Sequence, residues 1–293
     1  TDSRIHCKTA GSMRFNEDFG TLEFYTGDEW RIVNSIKDTG NRGRGVFAGG
    51  SPNMSTISFL NIMSTGNTQH FGDLTYSLGN VSGKCSSGTR GLFAGGGNPV
   101  TDTINYITIA SEGNGVDFGN LTASMYGMGG HSSSTRGIWG GGNPSSGHLN
   151  VIQYVEINTT GNALDFGDLT TLAQGVSAMS NSVRACFAMG NIGYHAGNTQ
   201  RNVIDFVQIA TTGNAQDFGD STTQQTAQSG GTASNSTRGL FFGGYSSPAN
   251  PSNSTPHIHY INFNTKGDSV NFGDLTVASG GCGGHCDTHG GLQ

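Results

Sequence analysis

Basic residues are scarce in this chain: 14 Lys and Arg stand against 20 Asp and Glu, for a net charge of −6. No basic patch is available to neutralise a phosphate backbone, which argues against nucleic acid as a partner. Long apolar runs are missing too. No stretch approaches the length of a membrane-spanning helix, so no membrane insertion is expected. The opening residues TDSRIHCKTAGS contain no apolar signal-peptide core. The five cysteines are Cys7, Cys85, Cys186, Cys282 and Cys286. An odd number at irregular spacing is not a disulfide scaffold and fits assembly in a reducing compartment. Catalytic signatures are also lacking: there is no HExxH, no phosphate-binding loop, no GxSxG and no series of sialidase Asp boxes. The expectation is a protein that is not an enzyme and carries no cofactor.

What is abundant is glycine, at 49 residues, and it is periodic. Five segments share one spacing: ISFLNIMSTGNTQHFGDLT (57–75), INYITIASEGNGVDFGNLT (104–122), IQYVEINTTGNALDFGDLT (152–170), IDFVQIATTGNAQDFGDST (204–222) and IHYINFNTKGDSVNFGDLT (258–276). Ile62 to Phe71, Ile109 to Phe118, Ile157 to Phe166, Ile209 to Phe218 and Phe263 to Phe272 are all nine residues apart. One structural unit used five times explains an unvarying spacing. Each unit opens with an Arg and an apolar pair running into glycine: RGVFAGG (44–50), RGLFAGG (90–96), RGIWGGG (136–142), RACFAMG (184–190) and RGLFFGG (238–244). A variable loop, an Ile-rich strand, a T-G-N turn, the Phe-Gly strand and a small-residue stretch such as YGMGGHSSST (126–135) complete it. Glycine in the turn is expected to supply a positive φ. Four short strands in about 46–54 residues match a propeller blade.

Residues 1–43 stand outside the repeat. MRFN, TLEFY and EWRIV read as three short strands around a small core of Phe15, Phe24 and Trp30. At the other end, GGHCDTHGGL (283–292) aligns without a gap on GGHSSSTRGI (129–138), and the first unit lacks that strand. The expected fold is all-β: a small N-terminal β-meander in 1–43, for docking or oligomerisation, and a five-bladed propeller in 44–293 closed by the C-terminal strand.

The order of small-residue strand, apolar strand ending in Gly-Gly, variable loop and aliphatic strand leading to an aromatic resembles the kelch repeat over residues 44–293. In that repeat a Tyr and a Trp hold the third and fourth strands; Tyr106, Tyr154, Phe206 and Tyr260 stand near the first place, and the Phe-Gly phenylalanines look like the Trp substitute. The dialect R-G-x-F-x-G-G … T-G-N-x-x-D-F-G-D-L-T is similar to repeat proteins among virion and tail-fibre components of marine tailed phages. Residues 12–33 resemble short modules that precede the receptor-binding parts of phage fibres. The resemblance implies a virion structural protein that contacts other virion proteins through its N-terminal segment and presents a face to a host-surface glycan or protein. A lectin-like adhesin of cellular origin, extracellular or at the cell surface, and a purely structural virion decoration are the alternatives.

Phe71, Phe118, Phe166, Phe218 and Phe272 read as packing residues. Arg44, Arg90, Arg136, Arg184 and Arg238 read as local anchors bonded to carboxylates or turn carbonyls, with a ring of charge that captures an anion as the alternative. Cys282, His285, Cys286 and His289 have the residue types of a zinc site, but on a strand the cysteines and histidines point to opposite faces. The functional clue is the variable loop, of six, seven, nine, thirteen and thirteen residues in the five units (51–56, 97–103, 143–151, 191–203, 245–257). The last two loops carry Tyr194, His195, Arg201, Tyr245 and His257, side chains suited to recognition on a rigid scaffold.

Overall fold

The computed structural model describes residues 9–16, 21–32, 43–50, 52–62, 64–79, 81–192, 199–222, 231–245 and 254–280. Strands pair antiparallel throughout, and no helix occurs among the described residues. The chain divides into two compact units, Thr1–Arg42 and Gly43–Gln293.

In the first unit, Met13–Asn16, Thr21–Tyr25 and Trp30–Ile32 form a three-stranded meander. Side chains alternate across it, so Phe15 and Trp30 fall on opposite faces. The expected core of Phe15, Phe24 and Trp30 is therefore not formed. One face joins Arg14 to Glu23, with Nε donating at 2.7 Å, and stacks the Arg14 guanidinium 4.3 Å from the Trp30 ring centroid. The opposite face leaves Met13, Leu22 and Phe15 exposed, Phe15 at 63%.

The second unit holds five sheets of three or four strands in chain order, and a two-stranded ribbon of Asn191–Ile192 with Thr199–Gln200 in a loop of the fourth. The strands of a complete sheet are named a to d. Strands a are Gly83–Ser86, Gly129–Ser132, Ser177–Ser180 and Gly231–Ser234 in sheets two to five. Strands b are Arg44–Ala48, Arg90–Gly96, Arg136–Gly140, Arg184–Ala188 and Arg238–Phe242. Strands c are Met54–Asn61, Thr101–Thr108, Leu149–Glu156, Val203–Gln208 and His257–Asn262. Strands d are Gln69–Leu78, Val116–Asn120, Leu164–Ala173, Gln216–Asp220 and Val270–Asp274. Each sheet is a meander in the order a-b-c-d, and the first contains b-c-d among the described residues. The C-terminal stretch expected to complete it lies outside them.

The Phe-Gly step is a β-bulge in all five sheets. In the third, Ile152 pairs with Gly167 and Gln153 with Asp165, so Phe166 is the extra residue. Phe71, Phe118, Phe218 and Phe272 occupy the same place. The bulge turns the ring onto the aromatic of strand c: Tyr154 and Phe166 meet edge-to-face at 5.7 Å, and the other four pairs are alike. In three sheets the preceding Asp accepts from the bulge glycine's N–H, as Asp165 does from Gly167 at 3.2 Å.

The apolar cores lie between neighbouring sheets. One cluster joins the first and second sheets through Phe59, Phe71 and Ile107, another the second and third through Phe118, Trp139 and Val155. The same pattern continues with Phe166 against Val207, and Phe218 against Ile261. Strands a are small because they face these cores: a Cβ on Gly130 would lie 2.6 Å from Cδ1 of Trp139. Serines link them in series, with Ser132 Oγ donating to the Ser86 carbonyl at 2.7 Å and Ser180 Oγ to that of Ser132 at 3.0 Å.

Backbone bonds also cross each boundary. The T-G-N segment, instead of closing a tight hairpin, lies along strand d of the preceding sheet. Gly161 N–H donates to the Phe118 carbonyl and Ala163 N–H to that of Asn120, both at 2.8 Å, while Asn162 Oδ1 accepts from Asn120 N–H at 3.0 Å. Gly113, Gly213 and Gly267 repeat the first bond on Phe71, Phe166 and Phe218. The bulge glycine leaves room for this approach: a Cβ on Gly167 would meet the Gly213 carbonyl oxygen at 2.5 Å.

Candidate functional site

Most of the side chains that repeat from unit to unit lie at the junctions between sheets. Arg90 Nη1 donates to the carbonyl of Ile157 in the following sheet at 2.9 Å, Arg136 to that of Ile209 at 2.9 Å and Arg44 to that of Ile109 at 2.7 Å; Arg184 reaches Phe263 in the same way. The expected carbonyl acceptors are present, but they belong to the neighbouring sheet, so these arginines staple one sheet to the next and are not local anchors. Each also lies over its own strand c aromatic, 4.5 Å from the centroid for Arg136 on Tyr154. Among the described residues only Arg136 adds a carboxylate, Glu156.

A second repeating bond was missed. Strand c carries one polar residue in its buried middle: Asn105, Gln153, Asp205 or His259. Each bonds the threonine that follows Phe-Gly in the sheet before, at Thr75, Thr122, Thr170 and Thr222. The signal was present as a polar residue between Ile and the aromatic in INY, IQY, IDF and IHY.

The end of the sheets that carries the b–c loops is different. Strand b closes on a left-handed residue there, Gly49, Gly95, Gly141 or Gly243 at φ 57–71°, so a Cβ is disfavoured. Met189 takes that place in the fourth sheet at φ 60° with its side chain fully buried. Beside it Asn143, His148, Gln174 and Asn191 form a buried polar group spanning the third and fourth sheets. Asn143 Nδ2 donates to Gln174 Oε1 at 2.7 Å, and His148 bonds the Gln174 side chain and the Asn191 backbone. Burial holds the His148 imidazole below its ordinary pKa, against the opposing effect of the Gln174 bond. No sequence pattern pointed to these four, because they sit in loops that differ in every unit.

The loop residues expected to bind are not brought into one surface. Arg201 is 0% exposed and forms an ion pair with Asp205, so it is not presented to solvent; this corrects its reading as a ligand contact. Its Nε and Nη1 have no partner among the described residues. An isolated guanidinium in a sheet interior is retained only when a carboxylate compensates the desolvation, and Asp205 does so. His257 lies on strand c of the fifth sheet and bonds Asp274 at 2.9 Å. Tyr245 is half-buried, with its backbone bridged to Ser254. Tyr194 and His195 lie outside the described residues, as do Cys282, His285, Cys286 and His289. Among the described residues no three His, Cys, Asp or Glu converge on a metal position. Cys85 and Cys186 are buried, and burial pushes both thiols far above their ordinary pKa, away from nucleophilic chemistry.

The arrangement of sheets has a counterpart among solved structures. That of YjhT, a kelch or β-propeller-like fold, matches with a TM-score of 0.56 over 69% of this chain and 67% of that one, at 8% identity. The fold is β-propeller-like. At that identity the likeness concerns the fold alone. No protein-family model matches the chain, and no curated protein matches it.

Proposed function

We propose that the five repeated sheets are five blades of a kelch-like propeller, and that the chain is a non-enzymatic virion structural protein of a tailed phage. In this reading it is a tail or fibre component whose loop end meets a host-surface glycan or protein. The observation that carries it is the contrast between the two ends. The T-G-N end is tied into the junctions and keeps one length. The loop end runs from six to thirteen residues, and its contacts differ from sheet to sheet. A rigid scaffold with one variable rim is the arrangement recognition proteins use. The N-terminal meander supports attachment to other virion proteins, since Met13, Phe15 and Leu22 leave an apolar face open.

The test is binding of the purified chain to host cells and to a glycan array, beside a variant with residues 193–198 and 246–253 replaced by Gly and Ser. Binding that disappears in the variant, at an unchanged melting temperature, supports the reading. Absence of binding, with those loops packed against neighbouring subunits in a particle reconstruction, identifies a structural decoration instead.

A further inference from the structure

The segments docked across the four junctions share their bonds but not their chemistry. Asn114, Asn162, Asn214 and Asp268 hold one place, and each accepts from a strand d N–H of the preceding sheet at 3.1, 3.0, 3.1 and 2.9 Å. The next residue is Gly115, Ala163, Ala215 or Ser269, and its N–H donates to a carbonyl of the same strand at 2.8 Å. Asn114 is the only asparagine in the chain that a glycine follows. That glycine has a local cause. A Cβ on it would lie 3.1 Å from Oδ1 of Asn105, the side chain that accepts from Thr75 N–H. Asn114 itself is exposed, and Gly115 is buried.

An asparagine side chain is open to attack by the next backbone nitrogen. A glycine at that nitrogen puts no Cβ in the way and lets the backbone fold back. The docked segment blocks the attack from both sides. The Asp73 carbonyl holds the proton of the Gly115 nitrogen, and Asp73 N–H holds the Asn114 amide oxygen. Opening of the junction between the first and second sheets releases both at once.

We infer that Asn114 is a modification site, a deamidation site guarded by this junction. When the segment opens, the Gly115 nitrogen loses its proton and bonds to Cγ of Asn114. The Cγ–Nδ2 bond breaks, ammonia leaves and a succinimide closes. Water, the only co-reactant, then opens the ring at one carbonyl to give aspartate or at the other to give isoaspartate; nothing is oxidised or reduced. Isoaspartate adds one carbon to the backbone between the amides of Gly113 and Gly115, which then no longer match the spacing of the Phe71 and Asp73 carbonyls they meet. Aspartate keeps the acceptor, since Asp268 fills that role in the fifth sheet, but it lacks the same setting. Lys266 stands two residues before Asp268, whereas Glu112 stands two residues before Asn114. A carboxylate at 114 meets a like charge where the fifth sheet supplies a cation. The site does not depend on what the loops bind.

Peptide mapping by mass spectrometry tests this on the full-length chain, aged at mildly alkaline pH in buffer and in denaturant, with Asn162 and Asn214 as internal controls. In denaturant Asn114 is expected to convert well ahead of both, and Gly115→Ala to bring it down to their rate. In buffer its conversion is expected to slow roughly tenfold or more, because attack waits on local opening. Equal rates at the three asparagines in denaturant overturn the site. Equal rates at Asn114 in buffer and denaturant overturn the guard. The melting temperature reads the product: Asn114→Asp is expected to melt below the wild type, and Asn114→Asp with Glu112→Lys to recover the loss. A double variant that melts no higher than Asn114→Asp overturns the part given to charge.

Discussion

The backbone N–H of Gly161 donates to the carbonyl of Phe118 across a sheet boundary at 2.8 Å, and this one bond explains why two glycines recur in every unit. The turn glycine brings its backbone against the neighbouring strand d, and the bulge glycine leaves the space. Gly119→Ala would place a methyl group against the Gly161 carbonyl at φ 144°; Gly273→Ala meets the same backbone strain, at φ 148°, with nothing nearby. Comparing them isolates the junction. Gly119→Ala is expected to lose about 1–3 kcal/mol more than Gly273→Ala in chemical denaturation, the usual range for forced overpacking. Equal losses would leave only the backbone effect.

The exposed phenylalanine gives a matching contrast. Phe166→Ala removes a buried ring that spans two sheets and should cost about 3–5 kcal/mol. Phe272→Ala removes a half-exposed ring that touches Tyr260 and should cost about 1 kcal/mol, in the range of a single aromatic pair. Thermal and chemical denaturation of dilute samples reads both.

Asp205 has two duties, pairing with Arg201 and accepting from Thr170. Asp205→Ala strands a buried guanidinium, and a loss of about 3–5 kcal/mol is expected. Replacing both members, as Arg201→Met with Asp205→Leu, should recover much of that loss, because no charge is then left buried. A double variant as unstable as Asp205→Ala would show that the Thr170 bond carries the effect.

Acid should weaken the fold through two histidines. Burial holds His148 and His259 below their ordinary pKa, and at His259 the neighbouring His257 adds to the effect. The folded state therefore takes up these protons at lower pH than the unfolded chain does. Their contribution is complete above the unfolded value, about 6.5, and is lost as pH falls through it towards the depressed folded values. The denaturation midpoint is expected to hold steady above neutrality and to fall on acidification, with a shallower slope in His148→Gln/His259→Gln. A midpoint that rises on acidification contradicts this.

Much of the repeating architecture was legible because each unit restates it. The nine-residue step from Ile157 to Phe166 marks one strand, one crossing and one bulge, and its invariance reflects a turn bonded on both sides. The order of strands a to d followed from where glycine, isoleucine and phenylalanine recur. Relations between units were not legible. Arg90 and Ile157 are 67 residues apart, and nothing local in either segment announces that they meet. The burial of Arg201 was equally hidden: Thr101 and Leu149 hold its place in the second and third sheets, so a loop-borne arginine read as surface. Phe15 misled because its hydrophobicity was weighed without the alternation of its strand.

The central claim is that one junction is repeated at all four boundaries between consecutive sheets. Amide hydrogen exchange on the dilute monomer tests it most directly. The account predicts slow exchange at the amides of Gly113, Gly161, Gly213 and Gly267, each bonded to a phenylalanine carbonyl of the preceding sheet. Fast exchange at those four amides would contradict it.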